Sequence, residues 1–516
     1  MSRRPHSAAL LFACIVLLLV PQRSVTVGAQ SPDPFSGFDA FVDGVMKEWR
    51  VPGLAVGAIR DGRVVLAKGY GHRNIEKQLP VTSRTLMGIG SNSKSFTVTL
   101  MGMLSDAGKL DWDKPVRAYL PDFELQDDIA TRLMTPTDLV THRSGLPRHE
   151  QVWLVDIFSR QELFARLRHL EPSASFRQRY QYSNLMFMAA GMLLERITNQ
   201  TWDDQIKQKI FTPLGMTRAN TSVRDMSTSD DYSLPYVARL GVTAVPYRNF
   251  DAIAPAAAIN ASVDDMLKYV QMHIDLGAAG GQQIISKAFA ARMQSPHSAF
   301  AQSPDDDLDG EEQEREMGPG GYGLGVSVRS YRGHKFVSHD GGVEGFISAM
   351  SWMPHERIGV VVLSNLSGPR VVPNIVQLNV YERLLGLSIT DHVRRAKERQ
   401  ARTQKQNVER ERQRQAQRVT GTAPSRPLAQ FAGRYEHPGY GPLTIVEKDG
   451  KLTLIRGSRS LPLEHFHYDV FREGPAVYSA RRMVRFTAGP SGQIEAVSIP
   501  LEPAVTDIVF RRKATD

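Results

Sequence analysis

Strand-like runs occupy two separate parts of the chain, and a long, mostly helical region lies between them. Residues 54–59 and 64–70 are apolar runs joined by Asp61-Gly62, a strong hairpin signal. Strand character returns in short runs between residues 323 and 363. This order predicts an α+β fold in which one antiparallel sheet is flanked by helices and interrupted by an inserted helical region. We expect a site in the crevice between the sheet and the insertion.

Helical spacing of apolar residues is found on both sides of the hairpin. Residues 36–50 predict a helix that ends before Pro52, and residues 93–107 predict another that ends at Gly108. A helix followed by a hairpin therefore opens the domain.

The last quarter of the chain has a different pattern. Residues 428–513 alternate short apolar runs with turns such as Asp449-Gly450, which predicts a small all-β module. Residues 392–427 are rich in Arg and Gln and end in Gly and Pro, which predicts a charged helical linker. We therefore expect the main domain at 33–391, after an N-terminal segment at 1–29.

The net charge of +9 is concentrated in one segment and does not predict a nucleic-acid partner. Between residues 392 and 420, ten Arg or Lys residues stand against three Glu. Arg3, Arg4 and Arg23 add three positive charges near the N-terminus, so the rest of the chain is close to neutral. No basic face is implied for a duplex or a single strand.

The first 29 residues have the pattern of a signal peptide. Arg3 and Arg4 precede an apolar run from residue 8 to residue 20, with cleavage expected near Ala29. We expect an exported protein, periplasmic or secreted, without a stable membrane span, and a retained anchor is the alternative. Cys14 is the one cysteine, so a cleaved chain would have neither a disulfide nor a cysteine nucleophile.

No metal and no cofactor are predicted. The acidic run at residues 303–317 is expected to be a solvated loop, because its spacing does not match a calcium-binding loop. His465 and His467 lie two apart on a predicted strand, but a third ligand is not evident.

Ser91 and Lys94 form the pattern S-x-x-K at the start of the second predicted helix. Residues three apart share a helical face, so the Lys94 ammonium is expected beside the Ser91 hydroxyl. A partly desolvated lysine loses its proton more readily and can activate the serine as a nucleophile. The pattern also occurs by chance in a chain of this length, and a helix cap is the alternative interpretation.

Tyr182-Ser183-Asn184 opens another apolar helical stretch. A tyrosine beside a lysine can pass a proton to a leaving group, and an amide can orient both lysine and substrate. Tyr247-Arg248-Asn249 repeats the triplet among loop-forming residues, and we interpret it as a decoy.

His339-Asp340-Gly341-Gly342 ends a predicted strand. The histidine can face the crevice there, and the glycines would let a substrate backbone lie close to the strand.

These three groups, in this order, resemble the serine β-lactamase and penicillin-binding-protein superfamily, specifically its class C branch. That branch includes class C β-lactamases, D,D-carboxypeptidases, D-aminopeptidases and lactamase-fold esterases. The resemblance covers about residues 36–390 and is supported by longer matches at 90–97, 138–147 and 321–325. The motif that contains His142 and Ser144 is interpreted as structural.

The resemblance implies catalytic roles for the first two groups. Ser91 would be the nucleophile, Lys94 its base, and Tyr182 a second proton-transfer group supported by Asn184. Whether Lys94 or Tyr182 is the working base is left open by the pattern.

The third group departs from the family's Lys-Thr-Gly. His339 would take the place of the lysine, Gly341 would lie beside the substrate, and the backbone N–H groups of Ser91 and Gly342 would form the oxyanion hole. A carboxylate at Asp340 would repel an anionic substrate if it faced the site, and a neutral histidine binds one less firmly than lysine does. Efficient β-lactam hydrolysis is therefore not expected.

The resemblance implies an acyl-enzyme acting on amide or ester bonds of small peptides, as a D-amino-acid peptidase, a carboxypeptidase or an esterase. A true β-lactamase and a catalytically retired penicillin-binding sensor are the alternatives. The C-terminal module resembles the lipocalin-like barrel that some of these peptidases carry, at residues 431–435 and 463–471. It could mediate homo-oligomers.

Overall fold

The computed structural model describes residues 33–238, 241–300, 316–368, 371–475 and 480–513. The predicted signal peptide and nearly all of the predicted acidic loop lie outside the described residues. Among the helices that are described, none has the length and the apolar character needed to cross a membrane.

A nine-stranded sheet forms the centre of the first part of the chain. The strands of this part are β1 (Gly53–Arg60), β2 (Arg63–Asn74), β3 (Leu79–Pro80), β4 (Met87–Gly88), β5 (Tyr236–Ala238), β6 (Val242–Ala244), β7 (Asn260–Ala261), β8 (Ala278–Ala279), β9 (Gln282–Gln283), β10 (Ser298–Ala299), β11 (Gly321–Tyr322), β12 (Ser327–Tyr331), β13 (His334–Val343), β14 (Phe346–Met353), β15 (Ile358–Ser364) and β16 (Leu366–Ser367). The sheet order is β10-β11-β12-β13-β14-β15-β1-β2-β3, with antiparallel neighbours throughout. The N-terminal hairpin thus pairs with the last long strand of the sheet.

The turn between β1 and β2 has the conformation that its sequence predicts. Asp61 and Gly62 both have positive φ, 51° and 79°, as a two-residue type I′ turn requires. This turn twists in the same sense as the strands, so it fixes the start of the sheet locally.

Helices cover both faces of the sheet. They are α1 (Phe38–Trp49), α2 (Ser93–Asp106), α3 (Asp128–Leu133), α4 (Pro136–Leu139), α5 (Glu150–Trp153), α6 (Arg160–Arg166), α7 (Asn184–Thr198), α8 (Trp202–Ile206), α9 (Thr212–Leu214), α10 (Ala254–Ala257), α11 (Val263–Ile274), α12 (Lys287–Met293), α13 (Val371–Leu385) and α14 (His392–Ala416). On one face, Leu54 and Val360 pack with α1 and α13. On the other face, Ala55 and Val361 belong to the larger core, which includes α2 and α11. Successive strand residues point to opposite faces, so β1 and β15 must be apolar throughout.

The C-terminal module is a closed barrel of eight antiparallel strands. They are β17 (Gly433–His437), β18 (Gly441–Lys448), β19 (Lys451–Arg456), β20 (Arg459–His467), β21 (Val470–Glu473), β22 (Met483–Ala488), β23 (Ile494–Ile499) and β24 (Ile508–Arg512). Phe431, Phe471 and Phe486 meet edge to face in its core, with ring centroids 4.9–5.6 Å apart. Eight strands leave room for little more than such side chains. The predicted α+β fold, with its helical insertion and all-β barrel, is confirmed.

The helix α14 links the sheet to the barrel. At its start, His392 lies 3.1 Å from the buried carboxylate of Glu382 on α13. Near its end, both carboxylate oxygens of Glu411 accept hydrogen bonds of 2.7 Å from Arg472 of β21. Side chains at both ends therefore anchor this otherwise exposed helix.

Candidate active site

A short turn holds Ser91 between the sheet and α2. Residues Gly90–Asn92 form a 3₁₀ turn that leads directly into α2. The Asn92 amide donates to the Ser348 hydroxyl on β14 at 2.7 Å, and that hydroxyl donates to the Ile89 carbonyl at 2.7 Å. The Ser93 hydroxyl donates to the Gly90 carbonyl at 2.7 Å. These buried bonds fix the turn, and with it the position of Ser91.

The three side chains that the sequence nominates for proton transfer meet at this turn. The Lys94 nitrogen Nζ lies 3.0 Å from Ser91 Oγ, and the Tyr182 hydroxyl lies 2.7 Å from the same oxygen. Lys94 is fully buried and also contacts Asn184 Oδ1 at 2.6 Å and the carbonyl oxygen of Ala256 at 2.9 Å. Asn184 begins α7, so one helix terminus brings the amide to the lysine.

Two distributions of protons satisfy this network equally. The Asn184 and Ala256 oxygens only accept, so Nζ carries at least two protons. In one arrangement a charged Lys94 also donates to Ser91 Oγ, and Ser91 donates to a Tyr182 phenolate. In the other, a neutral Lys94 accepts the Ser91 proton, and the Tyr182 phenol donates to Ser91. Both hold the same number of protons, so they are tautomers of one network.

His142 holds the tyrosine segment in place. Its Nδ1 accepts a hydrogen bond from the Ser183 backbone N–H at 3.1 Å, and its carbonyl accepts from the Gln181 N–H at 2.6 Å. Its ring lies 4.3 Å from that of Tyr182. Burial first, and then the positive charge of Lys94, holds the pKa of His142 well below its usual range. A neutral, hydrogen-bonded ring suits a structural role.

His339 faces the site from β13, and its ring centroid lies 6.4 Å from that of Tyr182. Its Nδ1 lies 2.7 Å from the Asp340 carbonyl oxygen, which only accepts, so Nδ1 carries a proton. Its Nε2 lies 2.8 Å from the Tyr322 hydroxyl, which can donate to it. The contacts therefore fit a neutral imidazole.

The Asp340 side chain lies on the other side of the sheet. Adjacent strand residues point to opposite faces, so Asp340 points away from the face that carries His339. Its carboxylate accepts a hydrogen bond of 3.0 Å from the Asn374 amide on α13. The condition for repelling an anionic substrate is not met, and this part of the expectation against β-lactams is corrected.

Gly341 and Gly342 lie against the turn that carries Ser91. A Cβ added at Gly341 would overlap the Ile89 carbonyl oxygen, and one added at Gly90 would lie 2.6 Å from the Gly342 nitrogen. The missing side chain at Gly341 thus allows strand and turn to pack closely, and its place beside the substrate stays a prediction. The same contact brings the Gly342 backbone beside that of Ser91.

Three groups at the site were not selected from the sequence. Tyr322 belongs to a matching segment but carried no assigned role, and only the fold brings its hydroxyl to His339. The Ala256 carbonyl has no side-chain signature. Arg148 directly follows the matching segment 138–147, and its guanidinium carbon is 4.6 Å from the centre of the Tyr182 ring.

Metal chemistry has no candidate in the described parts of the chain. There, no group of three or more His, Cys, Asp or Glu side chains is arranged to hold a metal ion. His465 lies with Nε2 2.8 Å from the Tyr468 carbonyl oxygen, and His467 Nδ1 accepts from the Val419 N–H at 3.2 Å.

Comparison with known proteins assigns the family. Residues 38–380, more than half of the chain, match the family profile described as Beta-lactamase. The chain belongs to the β-lactamase family. In this β-lactamase-family protein, residues 417–512 also match a profile described as a domain of unknown function (DUF3471).

Curated relatives of the β-lactamase-family chain include named hydrolases. The "Unguisins hydrolase ungD'" of Aspergillus campestris is 29% identical over 522 residues, covering 92% of this chain and 91% of that protein. "Penicillin-binding protein 4" of Amycolatopsis lactamdurans is 26% identical over 335 residues, covering 63% of this chain and 83% of that protein. The family and these relatives identify the chain as a serine hydrolase, so the predicted family and enzyme class are confirmed.

Solved structures share the fold over nearly the whole chain. The octameric penicillin-binding protein homologue from Pyrococcus abyssi has a TM-score of 0.60 at 25% identity, covering 92% of this chain and 99% of that one. SurE, solved with D-Leu, has a TM-score of 0.54 at 17% identity, covering 94% of this chain and 100% of that one. The fold similarity thus extends across both the sheet domain and the barrel.

Proposed function

We propose that this serine hydrolase forms an acyl-enzyme on Ser91 and cleaves amide or ester bonds of small peptides, as a D-amino-acid peptidase, a carboxypeptidase or an esterase. One observation carries the proposal: the Ser91 hydroxyl lies within hydrogen-bond distance of both Lys94 and Tyr182. The names of the two relatives, a hydrolase of unguisins and a penicillin-binding protein, support this range of acyl substrates.

The network supports each proton transfer of an acyl transfer. Ser91 Oγ attacks the acyl carbon and gives its proton to the network, either to Tyr182 or to Lys94. That proton passes to the departing amine or alcohol as its bond to the acyl carbon breaks. Water then attacks the acyl carbon and gives one proton to the network, and this proton passes to Ser91 Oγ as the bond between Oγ and the acyl carbon breaks, which releases the acid and restores the serine.

The surrounding backbone supports the remaining roles. The N–H groups of Ser91 and Gly342 would donate to the oxyanion, since the two segments pack in direct contact. Asn184 would orient Lys94, which it already contacts. His339, with Tyr322, would border the leaving-group side, where the family presents a lysine.

A fluorophosphonate probe tests the nucleophile. Attack of Ser91 on phosphorus expels fluoride, so the intact mass of the wild type should rise by one phosphonyl group. Ser91→Ala should form no adduct, and Ser105→Ala, at the far end of α2, should react like the wild type. An equal adduct on Ser91→Ala would refute the role. A peptide and ester library with the same variants would then identify the acyl class, because true substrates lose turnover only in Ser91→Ala.

Reaction with β-lactams is a second candidate, because the Asp340 carboxylate faces α13 and does not oppose an anionic substrate. His339, whose hydrogen bonds fit a neutral ring, would attract an anion less strongly than the charged lysine of the family's third motif. We expect nitrocefin to acylate Ser91 slowly, with little turnover. Rapid multiple turnover would establish a β-lactamase.

Other properties are proposed on the sequence pattern. We propose a signal peptide at 1–29, a hydrolase domain at 33–391, a linker at 392–427 and the barrel at 428–513, with export to the periplasm or the medium. An assembly of identical chains through the barrel is proposed by analogy with the octameric homologue. A small peptide or ester is the proposed partner, with no nucleic acid.

A further inference from the structure

We propose that Arg148 is a positioning residue that keeps the shared proton of the network on Lys94, so that Tyr182 works as a phenolate base. The inference rests on the proposed function, because it concerns the same three side chains. Neither the motifs nor the hydrogen-bond distances decide whether Lys94 or Tyr182 is the base.

The Arg148 guanidinium lies against the Tyr182 ring. Its central carbon lies 4.6 Å from the centre of the Tyr182 ring, in direct cation–π contact. The two tautomers differ only in charge: one has an ammonium and a phenolate, and the other has two neutral groups. Because Arg148 contacts the Tyr182 ring directly, it acts most strongly on a charge that forms there, and it favours the phenolate.

Other charged and titratable groups also surround Tyr182. They include Lys94 at 4.8 Å from the ring centre, His142 and His339 by ring contact, and, next to these, Glu150, Tyr180 and Tyr322. Burial keeps His142 neutral, and the hydrogen bonds of His339 fit a neutral ring. Lys94 and Arg148 both place positive charge against the Tyr182 ring, in a site where His339 stands in place of the family's third-motif lysine.

The two neighbouring tyrosines are poor candidates for the base. Burial raises the pKa of Tyr180 and of Tyr322, so both phenols keep their protons. Of the three phenols, Tyr182 is the one that contacts both cations.

Glu150 forms an ion pair with Arg148. Both Nε, at 2.9 Å, and a terminal nitrogen of Arg148 contact one Glu150 oxygen. The two side chains are 46% and 33% exposed, so water screens the charge of Arg148, and the Glu150 carboxylate offsets part of it. Removing the Glu150 charge should therefore strengthen the effect of Arg148.

The residue after Arg148 is anchored by the barrel module. The next residue, His149, is buried in a left-handed conformation with φ 43°. Its N–H donates to Glu502 at 2.8 Å, and its Nδ1 lies 2.7 Å from the Tyr440 hydroxyl. Both partners belong to the barrel module, which thus fixes the backbone that carries Arg148.

The experiment measures the rate of fluorophosphonate adduct formation against pH in the full-length protein. In Arg148→Gln the acid limb of this profile should move up by about one pH unit. Arg148→Lys should restore most of the wild-type profile, and Glu150→Gln should move the limb to lower pH. Arg383→Gln removes an arginine that contacts Phe38 of α1 and the backbone before that helix, and it should leave the position of the acid limb unchanged. The difference in tyrosinate absorbance between the wild type and Tyr182→Phe, followed against pH, reports the ionisation of Tyr182. When both proteins also carry Arg148→Gln, this ionisation should move up by the same amount as the acid limb.

Each outcome decides the proposal. An unmoved limb in Arg148→Gln overturns it. If the loss is confined to substrates that carry a carboxylate, and appears in KM rather than kcat, Arg148 binds substrate instead. An equal rate loss at every pH, unrescued by lysine, makes it a structural residue. If the wild type forms no adduct, the proposed function fails, while the tyrosinate absorbance still tests the charge effect of Arg148.

Discussion

At the scale of single residues, the site depends on contacts too close for a side chain. Gly341 of β13 packs on the Ile89 carbonyl next to the turn that carries Ser91, so strand and turn lie too close there for even a methyl group. The position of Ser91 and the proposed oxyanion site of Ser91 and Gly342 both depend on this contact.

Substitution of Gly341 tests that contact. In Gly341→Ala the new methyl group overlaps backbone, which cannot rotate away, and we expect a loss of about 1–3 kcal/mol in the free energy of unfolding. The fluorophosphonate adduct should form at least tenfold more slowly, since the turn must shift. Gly44→Ala is the control: Gly44 lies exposed in α1 with open space, so the change should stabilise by about 0.5–1 kcal/mol. Urea unfolding and adduct kinetics measure both. Wild-type kinetics in Gly341→Ala would contradict the packing argument.

At the scale of elements, the barrel and the segment from 148 to 171 form a shared interface. His149 is held by Tyr440 and Glu502, and its Nε2 lies 2.9 Å from the Glu171 carbonyl oxygen. The Arg459 guanidinium donates to Gln151 at 3.2 Å. The barrel therefore contacts the segment that carries Arg148, next to the proposed proton-transfer residue Tyr182.

Removing one hydroxyl from this interface should reach the active site. Tyr440→Phe leaves the buried His149 Nδ1 without its donor, which should cost about 1–3 kcal/mol in the free energy of unfolding. We also expect slower adduct formation, because His149 holds the backbone next to Arg148. Tyr468→Phe, at a 56% exposed tyrosine of the same barrel, is the matched control and should be neutral. Identical behaviour of the two variants would show that the barrel does not support the site in this way.

At the scale of the whole molecule, buried histidines make stability depend on pH. Burial lowers the pKa of His273 to about 3 and that of His437 to about 4, and it also lowers the pKa of His142 and His149. The unfolded chain binds these protons near the ordinary value of 6.5, well above the folded pKa values. The contribution of these histidines to the free energy of unfolding is therefore fully present above pH 6.5 and is lost as the pH drops towards 4 and 3.

His273 allows this slope to be measured. Its ring stacks on Trp352 with centroids 4.9 Å apart, and among the described residues neither ring nitrogen has a hydrogen-bond partner. His273→Phe should keep the stack and remove one titrating group, which flattens the slope between pH 6.5 and 4 by up to about 1.4 kcal/mol per pH unit. Urea unfolding of both proteins at pH 7.5, 6 and 5 measures it. Parallel slopes would contradict the assignment.

Much of this architecture could be predicted because its signals are local. Asp61-Gly62 specifies its own turn, and S-x-x-K places Lys94 beside Ser91 on a single turn of helix. The Tyr182 triplet precedes an apolar helix, so its neighbourhood was also evident. Tyr322 and the Ala256 carbonyl could not be found in this way, because each reaches the site only through strand register or helix packing.

Alternation and spacing of apolar residues indicate the fold class, and short motifs carry the resemblance to the family and select the residues proposed for proton transfer, because all of these signals are local. How those residues contact one another depends on the tertiary structure. Sheet register turns the Asp340 side chain towards α13, and the fold brings Arg148 against the Tyr182 ring next to the barrel contact of His149. Both depend on contacts between residues tens to hundreds of positions apart, and the charge at the site depends on those distances.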